Sequence, residues 1–249
     1  MTSTHSSAAC CTTPVPKATA SYTPKGTYHT IANIKTYITG PSTATKAIFH
    51  IYDIFGYRTP TLQGADILAS AGYLVIMPDF FEGSPAEPEW MGGSEEGKAK
   101  FGAFLGGLKD AGPFLEKIET ILPALKKEYS GVEKWASIGF CWGGKIVAVT
   151  SAGTETPWSV GIQTSPAQVD PEDARKISIP SMMLASEGED EGLVKAWGEA
   201  FGGKERVVER WGREVHGWMS ARSNLEDAER RAEFERGYGV VLGFLERHF

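Results

Sequence analysis

The segment Trp135-Ala136-Ser137-Ile138-Gly139-Phe140-Cys141-Trp142-Gly143-Gly144-Lys145 constrains this chain more than any other. A short apolar run reaches Gly-x-Cys-x-Gly-Gly and passes straight into a helix-like stretch. A strand that reverses into a helix within so few residues forces the central residue into a strained backbone conformation. Side chains two positions to either side then collide, so only small ones fit there. A lone cysteine in an apolar run usually fills a core as a small buried residue. Here the required context of strand, turn and helix is present, and the strain raises the sulfur above the end of a sheet. That geometry makes Cys141 a candidate nucleophile on a nucleophile elbow.

The rest of the chain alternates strand-like and helix-like segments, which implies a mostly parallel central sheet with helices on both faces. Candidate strands are Ile34–Thr39 at an edge, Lys46–Tyr52, Tyr73–Met77, Trp135–Phe140, Val160–Thr164, Ser181–Ala185 and Glu205–Trp211. Helical periodicity covers Pro60–Ala71, stopped by Gly72, then Pro113–Tyr129, Lys145–Ala152, Leu193–Phe201 and Leu225–Arg247. Residues 82–108, rich in Gly, Pro and Glu with scattered aromatics, read as a lid or a pocket wall. Residues 1–25, with Pro14, Pro16 and Pro24 among Ser, Thr and Ala, read as a flexible arm or as an arm laid over the surface. Residues 26–249 then form a single α/β domain.

Net charge is −6 and no basic stripe appears, so nucleic-acid binding has no electrostatic footing. No apolar run approaches the roughly 18 residues of a membrane span. Residues 1–30 lack the apolar centre of a secretory signal, so the expectation is a soluble cytoplasmic protein, monomeric or homodimeric. Three cysteines in 249 residues do not make a disulfide framework. Cys10 and Cys11 are adjacent, and no His or Cys is spaced with them for a metal site.

A thiol nucleophile needs a base, and the base needs an orienting group. Of five histidines, His5 lies in the arm, His29 precedes the first candidate strand and His248 ends the chain. His50 sits within a strand, where a core histidine is expected. His216, in Val215-His216-Gly217-Trp218, follows the last candidate strand at the carboxyl end of the sheet, where open α/β sheets place their sites. The acid should leave the preceding strand, in Ser186-Glu187-Gly188-Glu189-Asp190-Glu191. Asp190 is the first choice, with Glu187 or Glu189 as substitutes; the competing reading is that Asp190 only caps the next helix. Oxyanion donors are expected from the backbone N–H of Trp142 and of Ile54, in Asp53-Ile54-Phe55-Gly56.

With these residues the chain resembles the dienelactone hydrolase family of α/β-hydrolases from about Tyr28 to the C-terminus. The markers are Tyr52-Asp53-Ile54-Phe55-Gly56, Tyr73-Leu74-Val75-Ile76-Met77-Pro78-Asp79-Phe80-Phe81, Gly139-Phe140-Cys141-Trp142-Gly143-Gly144 and His216-Gly217-Trp218. The Cys10-Cys11 arm followed by Pro24-Lys25-Gly26 is similar to the fungal branch. The resemblance implies hydrolysis of enol lactones and small esters by a Cys-Asp-His triad, with no metal and no organic cofactor. It assigns Cys141 as nucleophile, His216 as base then acid, and Asp190 as orienter. It also implies that Asp53 stands where the family's Glu helps release the thiolate. The family's arginine after the Pro-Asp-aromatic motif is replaced by Phe81-Glu82-Gly83, while Arg222 and Arg58 are candidates to bind a substrate carboxylate. Tyr57, Phe80, Phe81, Trp90, Trp142 and Trp218 suggest walls for a flat or hydrophobic acyl group. A thioesterase acting on a polyketide-type intermediate and a non-catalytic binding module are the alternatives.

Overall fold

The computed structural model describes residues 21–201 and 205–249. The strands are β1 (Thr27–Ile31), β2 (Ile34–Thr39), β3 (Lys46–Ile51), β4 (Leu74–Pro78), β5 (Lys134–Phe140), β6 (Val160–Thr164), β7 (Ser181–Ser186) and β8 (Arg206–Trp211). The α-helices are α1 (Thr59–Ser70), α2 (Glu95–Gly107), α3 (Gly112–Glu128), α4 (Trp142–Thr150), α5 (Pro171–Lys176), α6 (Glu191–Ala200) and α7 (Ala228–His248). One sheet has the order β1-β2-β4-β3-β5-β6-β7-β8. Strand β2 runs antiparallel to both neighbours, and β4 to β8 with β3 are parallel. This is the mostly parallel sheet that strand–helix alternation predicts.

The chain passes leftward from β3 to β4 and then jumps over β3 to reach β5. The sheet order therefore reverses between β3 and β5, and their carboxyl ends diverge there into a crevice. The loop Asp53–Gly56 and the residue Cys141 both follow from those ends. Side-chain alternation assigns the faces. Phe140 meets Tyr238 of α7 on one face, with ring centroids 6.5 Å apart. On the other, a Cβ on Gly161 would meet Val147 of α4 at 3.4 Å. His50 is fully buried and stacks on Phe140 at 4.7 Å, and burial pushes its imidazole down to about 3. It is a neutral core group.

Strand β1, helices α2 and α5 and the 3-10 helix Pro88–Met91 escaped the sequence reading. Strand β1 lies outside β2, so Ile34–Thr39 is not an edge and His29 is within a strand. Only Ile31 of β1 is buried, so its sequence has no apolar periodicity to read. Helix α2 buries only Gly97 and Phe101, and Ser94 caps it by accepting from the Gly97 N–H at 3.0 Å. Helix α5 is six residues long and is started by Asp170. The end of the segment read as an arm is pinned to α1: the Tyr22 hydroxyl (2.5 Å) and the Lys25 N–H (2.8 Å) both donate to the buried Asp66 carboxylate. Cys10, Cys11 and His5 lie outside the described residues. Among the described residues, no helix is long and apolar enough to cross a membrane.

Candidate active site

Cys141 is 2% exposed and sits at φ 53°, ψ −116°, immediately before α4. A non-glycine residue holds this backbone region at a cost of about 1–3 kcal/mol, which the surroundings must maintain. They do so through backbone bonds. The Cys141 N–H donates to Thr164 O at 3.1 Å, and the Cys141 carbonyl accepts from Gly144 N (3.0 Å) and Ala167 N (2.8 Å). The flanking glycines are steric requirements. A Cβ on Gly139 would lie 2.1 Å from the Gly143 carbonyl oxygen, and one on Gly143 would lie 2.3 Å from that of Ile51. Both contacts are with backbone, so no rotamer relieves them. We expect Gly143→Ala to cost about 3 kcal/mol in urea unfolding, because α4 must back away from β3. A loss below about 0.5 kcal/mol contradicts this packing argument.

The sulfur sits at the N-terminus of α4, where the helix dipole and unused amides favour negative charge. Trp142 is the first residue of that helix, so its N–H belongs to the donors with no intrahelical acceptor. Ile54 lies in the turn after β3, closed by Gly56 N–H to Asp53 O at 3.1 Å, with Gly56 at φ +69°. The Ile54 carbonyl accepts from Ala86 N at 2.8 Å, which anchors that turn. Backbone bonds lace the loops across the sheet end: Cys141 to Thr164, Ser165 N–H to Leu184 O at 2.8 Å, and Glu187 N–H to Glu214 O at 2.9 Å.

His216 and Glu189 meet in this row. The ring Nδ1 lies 2.6 Å from Glu189 Oε1, with His216 2% and Glu189 3% exposed. Glu189 Oε2 also accepts from the Ser186 N–H. The choice of Asp190 is therefore corrected. Asp190 is exposed and caps α6, its Oδ1 accepting from Leu193 N at 2.8 Å. An N-cap side chain must turn toward the amides of its own helix, which directs Asp190 away from His216. Glu187 is exposed. Of the three carboxylates, only that of Glu189 is buried against the imidazole. The helical run that begins at Glu191 carried the signal, since it makes Asp190 the cap.

Asp53 is buried, and its carboxylate joins two loops. Oδ1 accepts from Phe55 N at 2.9 Å, while Oδ2 accepts from Ser220 Oγ (2.7 Å) and Ala221 N (3.0 Å). Burial pushes its carboxyl above the ordinary range. The Ser220, Phe55 and Ala221 hydrogen bonds and the Arg222 charge oppose that shift.

Aromatic rings cluster around Trp142, the buried residue after Cys141. Trp142 lies 4.5 Å from Phe114 and 5.1 Å from Phe81 between centroids, and Phe81 in turn lies 5.2 Å from Phe104. Trp90 closes on Phe104 at 6.0 Å. Asp79 presents Phe81: its carboxylate accepts from the Tyr52 hydroxyl (2.7 Å), Phe81 N (3.1 Å) and Gly83 N (2.8 Å). Phe104, on α2, lies in the segment 82–108 read as a lid or pocket wall, whereas Phe114 comes from α3 and was missed. Buried Arg222 lies over the Phe55 ring at 5.6 Å, with Nη2 3.7 Å from Met91 Sδ in the single-turn 3-10 helix Pro88–Met91.

Three of the candidate substrate contacts have protein partners in the structure. Arg58 pairs with Glu87 at 3.3 Å on the surface. The Tyr57 hydroxyl donates to Met77 O at 2.8 Å and serves the β4 backbone. Trp218 is 2% exposed, stacks on Trp211 at 4.4 Å and abuts Gly237 of α7. It is core.

Comparison with known proteins agrees with this architecture. The model of the dienelactone hydrolase family matches residues 34–231. An uncharacterised AIM2 family protein of Schizosaccharomyces pombe is 31% identical over 236 residues, covering 88% of this chain and 90% of that protein. A carboxymethylenebutenolidase homolog of Xenopus tropicalis is 37% identical over 127 residues, 50% of this chain and 49% of that one. The crystal structure of a putative dienelactone hydrolase from Klebsiella pneumoniae superposes with a TM-score of 0.61 at 16% identity, covering 88% of this chain and 97% of that one. A strained cysteine on a glycine-flanked elbow, in a sheet of this order, thus comes with a family match over most of the chain: it belongs to the dienelactone hydrolase family and is a hydrolase of the α/β-hydrolase fold.

Proposed function

We propose that the protein hydrolyses small activated esters or enol lactones through a thioester on Cys141, with His216 as base and acid and Glu189 as its orienting group. The observation that carries this reading is the buried Glu189–His216 contact of 2.6 Å on loops laced to the Cys141 elbow. The Cys141 thiolate adds to the carbonyl carbon, and the developing oxyanion takes hydrogen bonds from the Ile54 and Trp142 N–H groups. The carbon–oxygen bond then breaks, and the leaving oxygen takes a proton from the His216 imidazolium. Water gives a proton to His216 as it adds to the thioester, and the thiolate departs with the acid as product. The Glu189 carboxylate holds the imidazole in one tautomer and balances its charge in each half.

A thiolate is itself a good leaving group, so the tetrahedral intermediate goes forward only if the other group leaves as readily. Phenolates and enolates do so; alkoxides and amide nitrogens do not. The half-buried rings of Phe81, Phe104 and Phe114, packed on and around Trp142, favour a flat, neutral acyl group, with Phe81 in the segment where a cation would bind a carboxylate. Initial rates on a phenyl ester, an enol lactone, an acyl-thioester, an ethyl ester and an anilide test this. The phenyl ester and enol lactone should exceed the ethyl ester by about a hundredfold or more, the scale that general acid catalysis supplies when an alkoxide must leave. An acyl-thioester as the fastest substrate replaces this reading by a thioesterase, and turnover of the anilide or of none of the five contradicts it.

A further inference from the structure

Asp53 carries more than the proposed mechanism uses. Its carboxylate lies at the end of β3, yet two of its three hydrogen-bond donors come from residues 167 and 168 positions away, Ser220 and Ala221. Those residues belong to the turn that starts at His216 and ends at Arg222. The turn is wound tightly on itself: Ser220 N–H (2.9 Å) and Arg222 N–H (3.3 Å) both donate to Gly217 O, and Gly217 takes φ +84°. Buried polar groups from other elements tie it down: Glu189 at His216, Asp53 at Ser220 and Ala221, and the Tyr238 hydroxyl, which donates to Met219 O at 3.0 Å. Tyr238 is fully buried, seated where a Cβ on Gly64 of α1 would lie 1.8 Å from its oxygen.

We propose that Asp53 is a positioning residue: it clamps the His216–Arg222 turn to the oxyanion loop and acts through that turn rather than on the Cys141 thiol. Two facts of length support this. Oδ1 is committed to Phe55 N at 2.9 Å, within its own loop, and this leaves Oδ2 pointing at Ser220 and Ala221. The short aspartate side chain suits that separation; one more methylene pushes the carboxylate into the space of Ser220. The clamp ties the Ile54 donor and the His216 base, which act on opposite sides of one carbonyl, into a single rigid unit. A displacement of about 1 Å at such a site lowers turnover about a hundredfold.

This inference rests on the Cys141 hydrolase reading, and the test separates the two. Wild type, Ser220→Ala, Asp53→Asn, Asp53→Glu and the Ser220→Ala/Asp53→Asn pair are compared in turnover of a phenyl ester. The pH midpoint of Cys141 alkylation by iodoacetamide is measured on each. Ser220→Ala removes one oxygen and leaves the Ala221 N–H bond, so the fold survives, which thermal unfolding checks. Expected is a kcat about tenfold lower in Ser220→Ala and about a hundredfold lower in Asp53→Asn. The double variant should fall no further than Asp53→Asn within about twofold, because both changes open one clamp. Any shift of the alkylation midpoint has the same sign in both single variants, and Asp53→Glu does not recover turnover. The clamp is overturned if Ser220→Ala stays within about twofold of wild type while Asp53→Asn alone moves the midpoint, or if Asp53→Glu exceeds wild type. If instead Cys141→Ala remains as active as wild type, the hydrolase reading falls first.

Discussion

Cys141→Ala should lower kcat/KM on a phenyl ester by about 10⁴-fold or more while leaving the protein folded. The loss is large because triad members act as a unit, and removing the nucleophile leaves only binding and the oxyanion donors. The fold should persist because alanine suffers no more at φ 53° than cysteine does, and the sulfur fills little volume. Stability within about 1 kcal/mol of wild type is expected from thermal unfolding. Cys141→Ser should be nearly as inactive, since an alcohol is far less ionised than a thiol and the site has been arranged around sulfur. Retention of more than a few per cent of activity in Cys141→Ala contradicts the mechanism.

The second large effect separates two adjacent carboxylates. Glu189→Gln should lower kcat about 10³–10⁴-fold, because the amide neither selects the imidazole tautomer nor balances the imidazolium charge. Asp190→Ala should keep kcat within about twofold and cost about 1 kcal/mol of stability, the value of a lost N-cap. The structural basis is direct: Oε1 of Glu189 is 2.6 Å from His216 Nδ1, whereas Oδ1 of Asp190 is 2.8 Å from the Leu193 amide. Steady-state rates and urea unfolding of the two variants measure both numbers. The reversed pattern, with Asp190→Ala inactive and Glu189→Gln active, overturns the assignment.

The sheet was legible because its strands are apolar runs of the length a buried parallel strand needs, and Val160–Thr164 was read to the residue. Strand β1 was not, since four of its five residues are exposed and it pairs with β2 at the edge of the sheet. Helix α2 lies in the segment read as a lid or pocket wall; its many glycines and exposed charges mask a short apolar row at Phe101, Phe104 and Leu105, and it buries only Gly97 and Phe101. At the site, the elbow could be read because steric demands leave only glycine at 139 and 143. The acid could not, because four carboxylates share one short loop and only the start of α6 separates a cap from a partner of histidine. The wall residues were the least legible. Aromatics such as Trp218 and Tyr57 look alike in sequence whether they line a site or pack a core, and Phe104 and Phe114 reach the elbow through helix packing.

Mixing the wild-type protein with p-nitrophenyl acetate, quenching in acid and mapping the acetyl group by peptide mass spectrometry tests the central claim most directly. The account predicts a burst of nitrophenolate close to one equivalent, and an acetyl group on the peptide containing Cys141 that is absent from Cys141→Ala. An acetyl group on any other residue, with turnover continuing in Cys141→Ala, contradicts it.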